Sequence, residues 1–232
     1  MAPVTELILL PLSPNASPET ISSVIATNTA TLLAQPGCRR VRASRVHEDA
    51  SKQRLFVDWD SLEQHRAFGS NDEEYGPFRA RMAGIVDTSA GPRKPPYHVE
   101  FAPAPPSVLD GSGRAKAPVA EVLHAYFPSD VNEQARARIA GTVHEFVAEL
   151  AKFAEGYTRE YAVGWTVEND LEFKGEKTRA LLLVVGWTSV EAHFKGREDE
   201  GFAKIIPMIR GLEGLKGLEM CHVANTTTEK SA

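Results

Sequence analysis

The chain is written twice, and that repeat limits its fold more than any other feature. Arg54–His65 reads RLFVDWDSLEQH, and Leu181–His193 reads LLLVVGWTSVEAH. Both are an apolar run followed by W-x-S-x-E-x-H. Trp59 matches Trp187, Ser61 matches Ser189, Glu63 matches Glu191 and His65 matches His193, all at an offset of 128 residues. A period this long marks two copies of one supersecondary unit. The flanks agree. Val4-Thr5-Glu6-Leu7-Ile8 opens one half and Val119-Ala120-Glu121-Val122-Leu123 opens the other. Phe78, Met82 and Ile85 form a stripe, echoed by Phe202, Ile206 and Ile209.

Each half parses as βαββαβ. A short apolar strand comes first, over residues 4–10 and 119–127. A helix follows, clearest in the second half, where Ile139, Val143, Phe146/Val147 and Leu150 recur at 3–4 spacing. Gly37 and Gly156 suit the left-handed position past a helix end. Alternating strands are expected over Cys38–His47 and Tyr157–Val167, then the apolar strands ending at Trp59 and Trp187. One more helix and a last strand complete each unit. Thr188-Ser189-Val190-Glu191 fits a capping box with Thr188 as cap, and Asp60 and Glu63 take the same places in the first half. Residues 103–118, PAPPSVLDGSGRAKAP, carry no periodicity and read as a linker. The expected domains are therefore 1–102 and 119–225, with a disordered tail over 226–232.

A βαββαβ unit is the ferredoxin-like arrangement, with helices on one sheet face and the other face bare. A bare apolar face must be covered. Tyr157, Tyr161 and Trp165 share one alternation of one strand and are the expected occupants of that face. Two copies in one chain can cover each other. The expected fold is α+β: tandem ferredoxin-like repeats forming an intrachain pseudo-dimeric α+β barrel.

An apolar strand followed by W-x-S-x-E-x-H, inside a βαββαβ unit, resembles the antibiotic-biosynthesis-monooxygenase (ABM) family of the dimeric α+β barrel superfamily. The resemblance covers nearly the whole chain, once per half. It implies a barrel acting on small molecules, in which cofactor-free oxygenation, cyclisation or decarboxylation of an aromatic or polyketide-like metabolite is the expected chemistry. It leaves a non-catalytic ligand-binding or stress-related barrel open, because the superfamily also holds proteins without chemistry. An open cavity with convergent polar groups favours the enzyme.

Composition excludes other classes. Of 232 residues, 26 are Lys or Arg and 31 Asp or Glu, so the net charge is −5. That leaves no basic footprint for nucleic acid or an anionic membrane surface. No apolar run approaches the ~20 residues of a membrane span. The start lacks a basic n-region, which points to the cytoplasm. Two cysteines make no metal motif, and no cofactor is expected. A small molecule is the expected partner, with homo-oligomers possible through the outer barrel surface.

His124 is the first catalytic candidate, because it interrupts an apolar strand where the first half has Leu9. A buried imidazole needs a partner or a role, and near-neutral titration suits a base. His193 is the second, since the repeat preserves it as His65, and the Tyr161 phenol is the third. Trp165, Tyr157, Arg159, His65 and Trp187 are the candidate substrate contacts: aromatics for a flat ligand, and Arg159, paired in the repeat with Arg40, for a carboxylate or phenolate. His98 and His222 lie in the last strands, but the sequence does not align them cleanly.

Overall fold

The computed structural model describes residues 2–89, 94–111 and 117–230. They form two compact units, residues 1–98 with 225–232, and residues 99–224.

Unit 1 begins with β1 (Val4–Pro11), α1 (Pro18–Ala34), β2 (Cys38–Val46) and β3 (Asp49–Trp59). Then come α2 (Leu62–Gly69), α3 (Asp72–Ala83) and the start of β4 (Tyr97–Ala102). β3 is central, antiparallel to both β1 and β2. Unit 2 repeats the order after a 3-10 turn at Ser107–Leu109: β5 (Val119–Pro128), α4 (Glu133–Leu150), β6 (Tyr157–Thr166), β7 (Leu171–Phe173), β8 (Glu176–Trp187), α5 (Val190–Arg197), α6 (Glu200–Arg210) and β9 (Gly217–Val223). Its antiparallel sheet runs β4-β6-β8-β5-β9, and β7 forms a hairpin on β8. Both units are α+β and ferredoxin-like.

The expected second helix of each half is two helices. Ser61 and Ser189 cap the first of each pair, accepting hydrogen bonds from the Gln64 and Ala192 amides. The cap thus sits one residue later than the S/T-x-x-E match proposed. Asp199 caps the restart at α6. Gly37 is left-handed, with φ +78°. Gly156 is not; it is needed because a Cβ there would lie 2.5 Å from the Ala192 Cβ.

Two stretches expected to lack structure are built in. In the linker, Val108 and Leu109 are buried, because an apolar pair inside a Pro-rich segment still gains by leaving water. Residues 112–116 of that linker lie outside the described residues. In the tail, β10 (Thr226–Glu229) pairs antiparallel with β2, from Thr226↔Ala43 to Glu229↔Arg40. Three consecutive threonines suit a strand, and Glu229 forms an ion pair with Arg40. Arg40 is therefore held by protein and not by ligand. Residues 231–232 lie outside the described residues.

The unit 2 core lies between sheet and helices. Phe127, Leu181, Leu183, Val185 and Trp187 from the strands meet Ile139, Val143, Phe146, Val147, Leu150, Ile205 and Ile209 from the helices. Tyr157, Tyr161, Val163 and Trp165 belong to this side, not to the bare face. A bulge at Arg159 (φ 66°) interrupts the register between Tyr157 and Tyr161 and turns the exposed Arg159 side chain outward. No helix among the described residues is long and apolar enough to cross a membrane.

Candidate functional site

Strand register assembles the site before any helix arrives. In unit 2, Glu121 of β5 pairs with His222 of β9, and Val119 of β5 pairs with Trp187 of β8. Residues opposite each other point to the same face, and so do residues two apart. Glu121, His222 and Trp187 therefore share the helix-side face. The chain then turns at Ser189, and the first turn of α5 lays the buried His193 on Trp187, rings 4.7 Å apart and stacked.

The contacts are polar and short. Trp187 Nε1 donates to Glu121 Oε2 at 3.1 Å. His193 Nε2 lies 3.4 Å from the same oxygen. His193 Nδ1 and His222 Nε2 are 2.7 Å apart. The exposed Phe194 ring covers both imidazoles, at 5.6 and 5.7 Å. One N–H must sit between the two histidines, and its direction follows from Glu121. When Glu121 is a carboxylate, His193 donates from Nε2 and accepts from His222 at Nδ1. When Glu121 is protonated, its O–H donates to His193 Nε2, and His193 donates from Nδ1 to His222.

Unit 1 carries the same quartet. Trp59 Nε1 donates to Glu6 Oε2 at 3.1 Å, His65 Nε2 is 3.4 Å from Glu6 Oε1, and His65 Nδ1 is 2.6 Å from His98 Nε2. The last-strand histidines thus correspond after all. The sequence obscures this because the 128-residue offset of the motif drops to 124 at Phe78 and Phe202: the stretch from His65 to Phe78 is four residues longer than that from His193 to Phe202.

A cavity of about 190 Å3 opens on the unit 2 quartet. Glu121, Trp187 and His193 line it on one side, with Phe146, Leu183, Phe202 and Ile206 among its apolar walls. Arg197 and Arg210 also line it, and both are exposed, so they mark its open side. An apolar cavity of roughly 150 Å3 takes a benzene ring. This one has room for a ring with small substituents. It lies between sheet and helices, not on the bare face where a barrel lumen was expected.

The remaining candidates lie elsewhere. His124 is buried on the opposite sheet face, 6.1 Å ring to ring from Tyr126, because alternation gives the helix side to Glu121 and Leu123. The Tyr161 hydroxyl is 3.0 Å from His144 Nδ1 on α4. Trp165 packs on Phe127 at 5.2 Å. Tyr157 backs Trp187 at 6.1 Å. None of the four lines the cavity. Burial, with Tyr161 beside it, pushes the Tyr157 phenol up to about 12. It keeps its proton at neutral pH and is no base. An unfolded tyrosine ionises near ~10, so its contribution to stability is complete below that and is lost as pH rises toward 12. Spectrophotometric titration at 295 nm should show one phenol ionising well after the exposed ones; a single transition near pH 10 for every tyrosine would contradict this. Burial likewise pushes the Cys38 thiol up to about 12, so it is no thiolate nucleophile. Glu121 and His222 were missed as site residues. Their signal was a charged or imidazole side chain at matched places in otherwise apolar strands.

Comparison with solved structures settles the fold. An anthrone oxidase-like protein superposes with a TM-score of 0.65 at 16% identity, covering 100% of this chain and 95% of its own. A proposed monooxygenase from Fusobacterium nucleatum subsp. nucleatum gives 0.58 at 11%, covering 100% and 96%. The likeness is one of fold, that of tandem ferredoxin-like α+β units. A proposed chlorite dismutase shares it too, at 0.55 and 12% identity over 97% and 95%. No family model matches this chain, and no curated protein matches it in sequence.

Proposed function

We propose that the unit 2 site of this α+β barrel takes a proton from a small hydroxyaromatic substrate and so primes it for reaction with dioxygen. The observation that carries this is a carboxylate and an imidazole lining one apolar cavity, joined to a second imidazole. The cavity walls hold the ring, and Glu121 accepts the hydroxyl proton. His193 and His222 reorient their N–H bonds so that the new O–H finds an acceptor. The phenolate is electron-rich and bonds through a ring carbon to dioxygen, giving a peroxide anion. Glu121 returns the proton to make the hydroperoxide, then removes the hydrogen from that ring carbon as the O–O bond breaks. Hydroxide leaves, takes that proton from Glu121, and departs as water. The phenol and one dioxygen become a quinone and one water. The likeness to an anthrone oxidase-like protein supports an aromatic substrate.

The test is dissolved-oxygen consumption with one- and two-ring phenols, followed alongside quinone absorbance. One dioxygen per quinone is expected, with the rate lost in His193→Leu although the variant stays folded at the assay temperature, destabilised by about 1–3 kcal/mol because His222 and Glu121 lose a partner. Phenols that bind without oxygen uptake would overturn catalysis and leave a ligand-binding barrel.

A further inference from the structure

We infer that the unit 2 cavity selects substrates bearing an anionic group, a ring carboxylate above all, through Arg197 and Arg210. This rests on the proposed reading of the cavity as a substrate site and names the substrate class.

The argument comes from comparing the two copies. Both units hold the Glu-Trp-His-His quartet at nearly the same distances. If that quartet were all a ligand needed, the rest of the two sites would have no reason to differ. They differ in charge. By the offset that matches Trp59 to Trp187, Arg197 corresponds to Gly69. By the offset that matches Phe78 to Phe202, Arg210 corresponds to Val86. Unit 2 thus adds two guanidinium groups that the duplicate lacks, and both line the cavity. They come from different helices, at the ends of α5 and α6. A basic residue in a last helical turn favours the helix dipole, which explains each charge alone. It does not explain why both reach one cavity. Neither makes an ion pair among the described residues. They face a site whose buried end carries the Glu121 carboxylate, so the cavity is acidic inside and basic at its opening.

That polarity orients a ligand. A carboxylate turned inward would meet Glu121. Turned outward, it meets two planar donors suited to bidentate binding. A hydroxybenzoate-like molecule would then place its carboxylate between Arg197 and Arg210 and its far edge, with the hydroxyl, toward Glu121 and His193. The cavity volume fits one ring with these two substituents.

The test uses binding, not turnover. The probes are 4-hydroxybenzoate and its neutral counterpart 4-hydroxybenzamide, titrated by calorimetry into the full chain and into Arg197→Gln and Arg210→Gln. Both positions are exposed, so the variants should fold as the parent does. The carboxylate should bind the parent about tenfold or more tightly than the amide, as expected for charge-assisted hydrogen bonds. Each variant should lose about that factor for the carboxylate and little for the amide, and added salt should weaken only the carboxylate. Equal affinity for the two probes would overturn the anion preference and leave the cavity as a substrate site. Failure of both probes to bind would overturn the preference and the cavity reading together.

Discussion

Replacing Glu121 by glutamine should lower turnover on the order of 10²–10⁴-fold while leaving the fold intact. Glutamine keeps the side-chain shape, and its amide oxygen still accepts from Trp187 Nε1, which lies 3.1 Å from the present carboxylate. What is lost is the ability to take a proton. The effect should fall on kcat more than on KM, because the apolar walls that hold the ring are untouched. Glu6→Gln in the duplicate quartet is the matched control. It removes the same charge from the same local geometry, but its unit has neither Arg197 nor Arg210 to receive the substrate. Steady-state oxygen uptake on the two variants decides the matter. A Glu121→Gln rate within a factor of three of the parent, or an equal loss in Glu6→Gln, would remove Glu121 from the chemistry.

The fold was legible because strands and helices repeat their apolar positions, and a 128-residue offset repeats them again. The site was only partly legible. Trp187 and His193 stand in the repeated motif, and both line the cavity. Glu121 stands in view in Val119-Ala120-Glu121, but in sequence a lone carboxylate near a strand end cannot be told from a surface charge. Only the β5 register shows it facing His222. His124 drew attention by breaking an apolar run, but its parity on β5 sends it to the other sheet face. Sequence alternation separates the two faces without saying which one carries the helices. The same ambiguity put Tyr157, Tyr161 and Trp165 on the bare side. Residues 226–229 read as a tail in sequence because strand pairing with β2 is a long-range event that a local run of threonines does not announce.

Truncating Trp59 to alanine should have the largest effect on stability. The ring is about 1% exposed and packs on Phe68 at 6.2 Å and His65 at 5.1 Å. Phe68 in turn meets Tyr75 and Phe78 edge-on, so one indole anchors an aromatic cluster. Emptying such a position costs about 3–5 kcal/mol. A second loss adds to it, because Trp59 Nε1 is a donor to Glu6, itself only 4% exposed. A buried acceptor deprived of its donor costs about 1–3 kcal/mol more. Trp59→Phe separates the two effects. It keeps most of the ring and removes only the donor, so its cost should stay near the second figure. Urea unfolding followed by circular dichroism measures both variants, with the transition of unit 1 as the readout. Trp59→Phe as damaging as Trp59→Ala would mean that the hydrogen bond to Glu6, and not the packed ring, holds this corner together. A loss below about 1 kcal/mol in Trp59→Ala would mean that neither does.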